Sequence, residues 1–173
     1  MLQIIKLDLL AYGKRRGLFG FLSALILNAG FSTVFWYRVI CALNRFGLPG
    51  RIISKVLLRI HVIFTGCYLS PQAKVAGGLR LPHPVGVVIG EGAVVGAGVT
   101  LYQGVTLGQN LKNQYPILED DVCCYANSVL IGDIRVGHSG VVGANSFVNR
   151  NVESYSIVAG VPARVIAKNK QET

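Results

Sequence analysis

The sequence predicts a mainly β protein, a solenoid of short parallel strands preceded by a short α-helical region, and three observations predict it. An apolar residue returns at every sixth position through Leu69, Val75, Leu81, Val87, Ala93, Val99 and Val105. The count restarts at Leu118 and continues through Cys124, Leu130, Val136, Val142 and Val148. Glycine keeps a second register, with Gly86, Gly92, Gly98 and Gly104 each standing one residue before an apolar position. Composition breaks near residue 66: residues 1–66 hold nine Lys and Arg against one acid, Asp8, whereas the rest holds eight basic and seven acidic side chains.

A period of six fits neither an amphipathic helix, whose stripe returns at 3.6, nor a plain hairpin sheet with its period of two. It fits a strand and a tight corner per hexapeptide, three hexapeptides to a coil, with the inward aliphatic side chain stacked on its equivalent in the next coil. A sandwich of short strands would place its turns every eight to twelve residues. The polar stretch 109–117 (QNLKNQYPI) interrupts the count and shifts its phase by one, which marks a loop leaving the solenoid.

The preceding region follows helical spacing. Leu18, Phe21, Leu22 and Leu25 lie three and four apart, and Arg51, Lys55 and Arg59 form a basic stripe opposite Ile53, Val56, Leu57, Ile60 and Phe64. No charge falls between Arg16 and Arg38. That stretch is broken by Gly, Ser, Asn and Thr and lacks a small-residue cleavage site, which disfavours a membrane span or a cleaved signal. Residues 17–37 can lie on a membrane or pack on a neighbouring subunit, and spanning is the third alternative. The basic charge would suit nucleic acid, but its mixture with Leu, Ile and Phe points instead to an anionic membrane surface, so no nucleic-acid partner is expected. The domain reading is a helical leader over 1–66, a solenoid over 67–168 with its loop at 109–117, and a tail at 169–173.

Cys41, Cys67, Cys123 and Cys124 show no CxxC spacing, which reads as reduced thiols in the cytoplasm. His61, His83 and His138 are too scattered for a metal site, and no metal is expected. His83 stands between Pro82 and Pro84, which restrain its backbone at a coil corner. An imidazole titrates near neutrality, so it can take a proton from a hydroxyl and return it to a leaving group.

The strings LPHPVGVVIGEGAVVG (81–96), VTLGQN (105–110), IGDIRVG (131–137) and AGVPARVI (159–166) resemble those of hexapeptide-repeat acetyltransferases over residues 69–168. The similar branches are the serine acetyltransferases and the O-acetyltransferases of bacterial polysaccharide synthesis. The resemblance implies a left-handed parallel β-helix, a homotrimer with active sites between subunits, and acetyl-CoA as cosubstrate. His83 matches the catalytic histidine, and Glu91 an acidic position that would orient its ring. Gly108, Ala126 and Ala144 match the small residues along which pantetheine runs, and Arg150, Arg164 and Lys168 the basic residues near the CoA phosphates.

Two aspartates of serine acetyltransferases fall here on Tyr68 and Pro82. The loop arginine and histidine that meet the amino acid's carboxylate fall on Gln114 and Tyr115, leaving Lys112 as the loop's cation. Loss of those charges predicts a sugar hydroxyl of a glycan or glycolipid as acceptor, with Tyr68, Gln114 and Tyr115 binding it. The expectation is therefore a polysaccharide O-acetyltransferase in the cytoplasm, held at the inner face of the membrane by residues 1–66. The alternatives are a serine O-acetyltransferase of cysteine biosynthesis and a catalytically silent β-helix scaffold.

Overall fold

A computed structural model describes residues 1–13 and 17–168; Lys14, Arg15 and Arg16 of the basic count and the tail 169–173 lie outside the described residues. Four helices come first: α1 (Leu2–Ala11), α2 (Leu18–Leu27), α3 (Ala29–Leu43) and α4 (Gly47–Thr65). Asn28 separates α2 from α3, which cross at 104°, and its side chain caps α3 by accepting from the Phe31 amide at 2.9 Å. Gly66 ends α4 in the left-handed conformation, φ 68°, which glycine adopts without steric cost.

Strands of two or three residues follow: β1 (Tyr68–Leu69), β2 (Lys74–Val75), β3 (Val88–Ile89), β4 (Val94–Val95), β5 (Thr100–Leu101), β6 (Thr106–Gly108) and β7 (Ile117–Leu118). The second half adds β8 (Cys123–Cys124), β9 (Val129–Ile131), β10 (Arg135–Val136), β11 (Val141–Val142) and β12 (Phe147–Val148), and two longer strands close it, β13 (Ser156–Gly160) and β14 (Ala163–Lys168). They form three faces of a left-handed β-helix. The first face runs β1-β3-β6-β9-β12, the second β10-β7-β4-β2 and the third β14-β13-β11-β8-β5. All pairings are parallel except β13 with β14, which caps the third face.

Every residue of the predicted apolar series is buried except Val75, which is half-buried. The register shows why the series ran unbroken past His83. Val88 pairs with Thr106, eighteen residues on, but Tyr68 pairs with Val88 and Arg80 with Thr100, twenty residues on. The first coil is two residues longer, and the extra pair lies in the Pro82–Gly86 corner. Val87 and Ile89 are both buried, so a shift of two passes from one inward row to the other. Later, Val94 pairs with Ile117, twenty-three residues on, so the loop adds five residues to an eighteen-residue coil.

Corners of the early coils use left-handed glycine, as at Gly98 and Gly104, while Asp121, Asn127, Ser139 and Asn145 occupy the same conformation later. Short polar side chains tolerate that region better than other residues do. The glycine register therefore fades after residue 104 while the apolar one persists.

The helices are clasped to the first coil by a buried ion pair. Arg38 donates from Nε to Asp8 Oδ2 at 2.9 Å and from Nη2 to Asp8 Oδ1 at 3.1 Å. Its remaining donors reach the Val75 and Ala76 carbonyls at 2.8 and 2.6 Å. Asp8 Oδ1 also accepts from the Gly78 amide at 2.8 Å, and the Tyr12 hydroxyl accepts from the Leu81 amide at 2.7 Å. The lone acid of the leader is thus the anchor of α1 and α3, with α3 burying Val34 and Tyr37 in the same core as the solenoid.

Burial raises the pKa of all four thiols and lowers that of His61; among the described residues no thiol is in a disulfide and the buried His61 Nε2 has no hydrogen-bond partner. Asp8→Ala leaves a buried guanidinium unpaired and costs about 3–5 kcal/mol. Urea unfolding measures it, and a loss under about 1 kcal/mol contradicts the clasp.

Candidate active site

His83 is exposed in the enlarged corner between the third and first faces, flanked by the two prolines. The carbonyl of His83 accepts from the Val85 amide at 2.8 Å, closing a tight turn that turns the imidazole outward. One coil on, Tyr102 occupies the equivalent place, its ring 6.3 Å from that of His83 and tilted by 53°. Tyr125, a further coil on, stacks on Tyr102 at 5.0 Å and 17°. This aromatic row escaped the sequence analysis. Its signal was available in part: the 23 residues from Tyr102 to Tyr125 equal a coil plus the loop, whereas His83, 19 residues before Tyr102, lies within the lengthened corner.

Ala126 and Ala144 lie on the same corner, where the Asn145 amide donates to the Ala126 carbonyl at 2.9 Å. The structure therefore aligns His83 with two of the three small residues assigned to pantetheine. Gly108 ends β6 on the opposite edge of the first face, where an added Cβ would lie 2.6 Å from Ile131 Cδ1.

Glu91 is also on that opposite edge, between β3 and β4, and is exposed. Among the described residues no hydrogen bond joins it to His83, so within one chain it does not orient the imidazole. It lies instead with the loop 109–117, which leaves the solenoid at the same edge after β6. Tyr115 lays its ring over Gly90 and Gly92, where any Cβ would meet the ring at 2.3 Å, and its hydroxyl donates to Gln109 Oε1 at 2.8 Å. Gln114 accepts from Asn110 Nδ2 at 2.9 Å and donates to Asp133 Oδ2 at 3.2 Å. Both amide atoms of Gln114 and the hydroxyl of Tyr115 are thus engaged in holding the loop. Lys112 is exposed on it.

Tyr68 sits away from this edge, in a groove under α4 with Lys55, Arg59 and Ile63. Lys168 is paired with Glu153 at 2.9 Å and donates to Ser156 Oγ at 3.0 Å, while Arg150 and Arg164 are exposed toward the capped end. Among the described residues no group of three His, Cys, Asp or Glu side chains could hold a metal ion.

No family model matches the chain. A serine acetyltransferase of Bacillus licheniformis is 33% identical over 155 residues, covering 86% of this chain and 69% of that protein. The chain belongs to the serine acetyltransferase family. A serine acetyltransferase of Buchnera aphidicola is 33% identical over 157 residues, covering 87% of this chain and 58% of that protein, so the chain spans less than two thirds of that family member. The crystal structure of a Brucella abortus serine acetyltransferase in complex with coenzyme A superposes with a TM-score of 0.86 at 28% identity, covering 97% of this chain and 68% of that one.

Family membership corrects the expected acceptor. The relatives are named for serine acetylation and not for polysaccharide modification. Within one chain Gln114 and Tyr115 hold the loop together while Tyr68 lies under α4, so the three residues assigned to the acceptor stand apart in a single copy.

Proposed function

We propose that the chain is an acetyl-CoA-dependent serine O-acetyltransferase of cysteine biosynthesis, acting in the cytoplasm as a homotrimer. Free thiols held protonated by burial fit a reducing compartment. The observation that carries the reading is an exposed His83 at a corner enlarged by two residues, in a chain whose relatives are named for serine acetylation.

His83 accepts the proton of the serine hydroxyl as its oxygen attacks the thioester carbonyl carbon. The tetrahedral intermediate collapses with cleavage of the carbon–sulfur bond, and His83 returns the proton to the CoA sulfur. O-acetylserine and CoA leave, and no bond to the enzyme forms. Pantetheine runs along the corner of Ala126 and Ala144, where small side chains admit it to the backbone.

His83 and the loop occupy opposite edges of the first face, so a site that uses both is completed by a second copy. Serine is a zwitterion and needs both charges met. Lys112 supplies the cation for its carboxylate and Glu91, beneath the same loop, the anion for its ammonium. These take over from the aspartates and the loop arginine and histidine that the chain lacks.

Release of the CoA thiol in the presence of L-serine tests the assignment. His83→Ala lowers kcat by about 10²–10⁴-fold; unchanged turnover in that variant, or no transfer to serine by wild type, overturns the reading. Lys112→Ala raises KM for serine about tenfold with little change in kcat, the worth of one charge-assisted hydrogen bond. An unchanged KM removes Lys112 from the acceptor site.

A further inference from the structure

The outer surface of α4 divides into three lengthwise sectors. At about 100° per residue, Gly50, Ser54 and His61 form the buried stripe that faces the rest of the molecule. Next to it, Ile52, Ile53, Val56, Ile60, Ile63 and Phe64 form an apolar sector roughly 120° wide, in which Ile63 and Phe64 are 79% and 84% exposed. Arg51, Lys55 and Arg59 form an exposed basic row on the remaining side, with the half-buried Leu58 and Val62 among them. A helix of a water-soluble domain turns its apolar side inward, whereas α4 turns most of its aliphatic side chains outward.

The electrostatics of the region are one-sided. Its single acid, Asp8, is 1% exposed and bound to Arg38, so the helical region presents no carboxylate to its surroundings. Ile60 and Phe64 line a cavity with Pro84 and Val85 beside His83, on the side where a second copy completes the site, whereas Ile52, Val56 and Ile63 lie next to the basic row, which a second copy would leave unanswered. Of the solenoid's six described acids, Glu119 and Glu153 are paired with Arg135 and Lys168, and Asp120 and Asp133 accept from the Ala97 amide and Gln114, which leaves Glu91 and Asp121. Nucleic acid would answer the basic row and leave the apolar sector in water.

We infer that α4 lies in the interface of an anionic lipid bilayer, with Ile52, Val56 and Ile63 among the acyl chains and Arg51, Lys55 and Arg59 at the phosphates. The long basic side chains reach the headgroups while their stems stay with the apolar sector. The helix rests on the bilayer and does not cross it: among the described residues no single helix is long and apolar enough to span, and the α2–α3 pair is bent by 104°.

The test is sedimentation of the full chain with phosphatidylcholine vesicles, with and without phosphatidylglycerol. Trp36, the single tryptophan, lines a cavity beside Ile60 and Phe64 and reports burial by a blue shift in its emission. The wild type should bind the anionic vesicles, shift its emission, and leave them at about 1 M salt, where charges are screened beyond a few ångströms. Lys55→Glu with Arg59→Glu, and separately Ile52→Asp with Ile63→Asp, should each weaken partitioning at least about tenfold. Serine acetylation in solution and assembly size by light scattering should stay unchanged. Equal binding to both vesicle types, no binding, or salt-resistant binding by the wild type overturns the inference without touching the proposed activity. So does a smaller assembly in either variant, which would assign the surface to a second copy.

Discussion

Each strand of the solenoid must land on its equivalent one coil later, because two-residue strands cannot hold themselves and draw their backbone partners from neighbouring coils. With a coil of eighteen residues, every inward position stacks on another inward position, as Leu107 over Ile89 does in the first face and Val136 over Leu118 in the second. Leu107, Leu118, Cys124 and Leu130 are at most 1% exposed as a result. Extra residues can enter only at corners, where they leave the register intact. Both insertions do so, two residues at Pro82–Gly86 and five at the loop, and both carry candidate chemistry. The rigid stack fixes where each insertion emerges.

The same constraint leaves the first coil with no coil before it to cover its end. The helical region occupies part of that space, and Arg38 with Asp8 makes the attachment specific by using backbone groups of residues 75–79 that no earlier strand reaches. Burying two charges is costly in isolation. Here Arg38 makes four donations and Asp8 also accepts from the Gly78 and Leu79 amides, so the pair is held by α1, α3 and the solenoid at once.

Much of this was legible in the sequence because it is local or periodic. The apolar rows, the break near residue 66, the loop and the histidine between two prolines all announce themselves within a few residues. The rest depends on contacts far apart in the chain. In the sequence Asp8 shows only as the leader's one acid, because its partner lies thirty residues away. The insertion beside His83 was hidden by the very feature that permits it, since Val87 and Ile89 both point inward. Gly92 belongs to the glycine register in the sequence, although its place, like that of Gly90, is set by the ring of Tyr115. For Gln114 and Tyr115 the sequence shows which residues replace the family's charges but not that Asn110, Asp133 and Gln109 bind them within the loop.

The central claim is that His83 of one copy and the loop of its neighbour form a single site. Co-expressing two inactive chains tests it most directly, one carrying His83→Ala and the other lacking residues 110–115, with purification of the mixed assembly and assay of serine acetylation. The account predicts that turnover returns in the mixed assembly, since one interface then joins an intact histidine to an intact loop. Mixed assemblies as silent as either parent would contradict it, because the site would then lie within one chain.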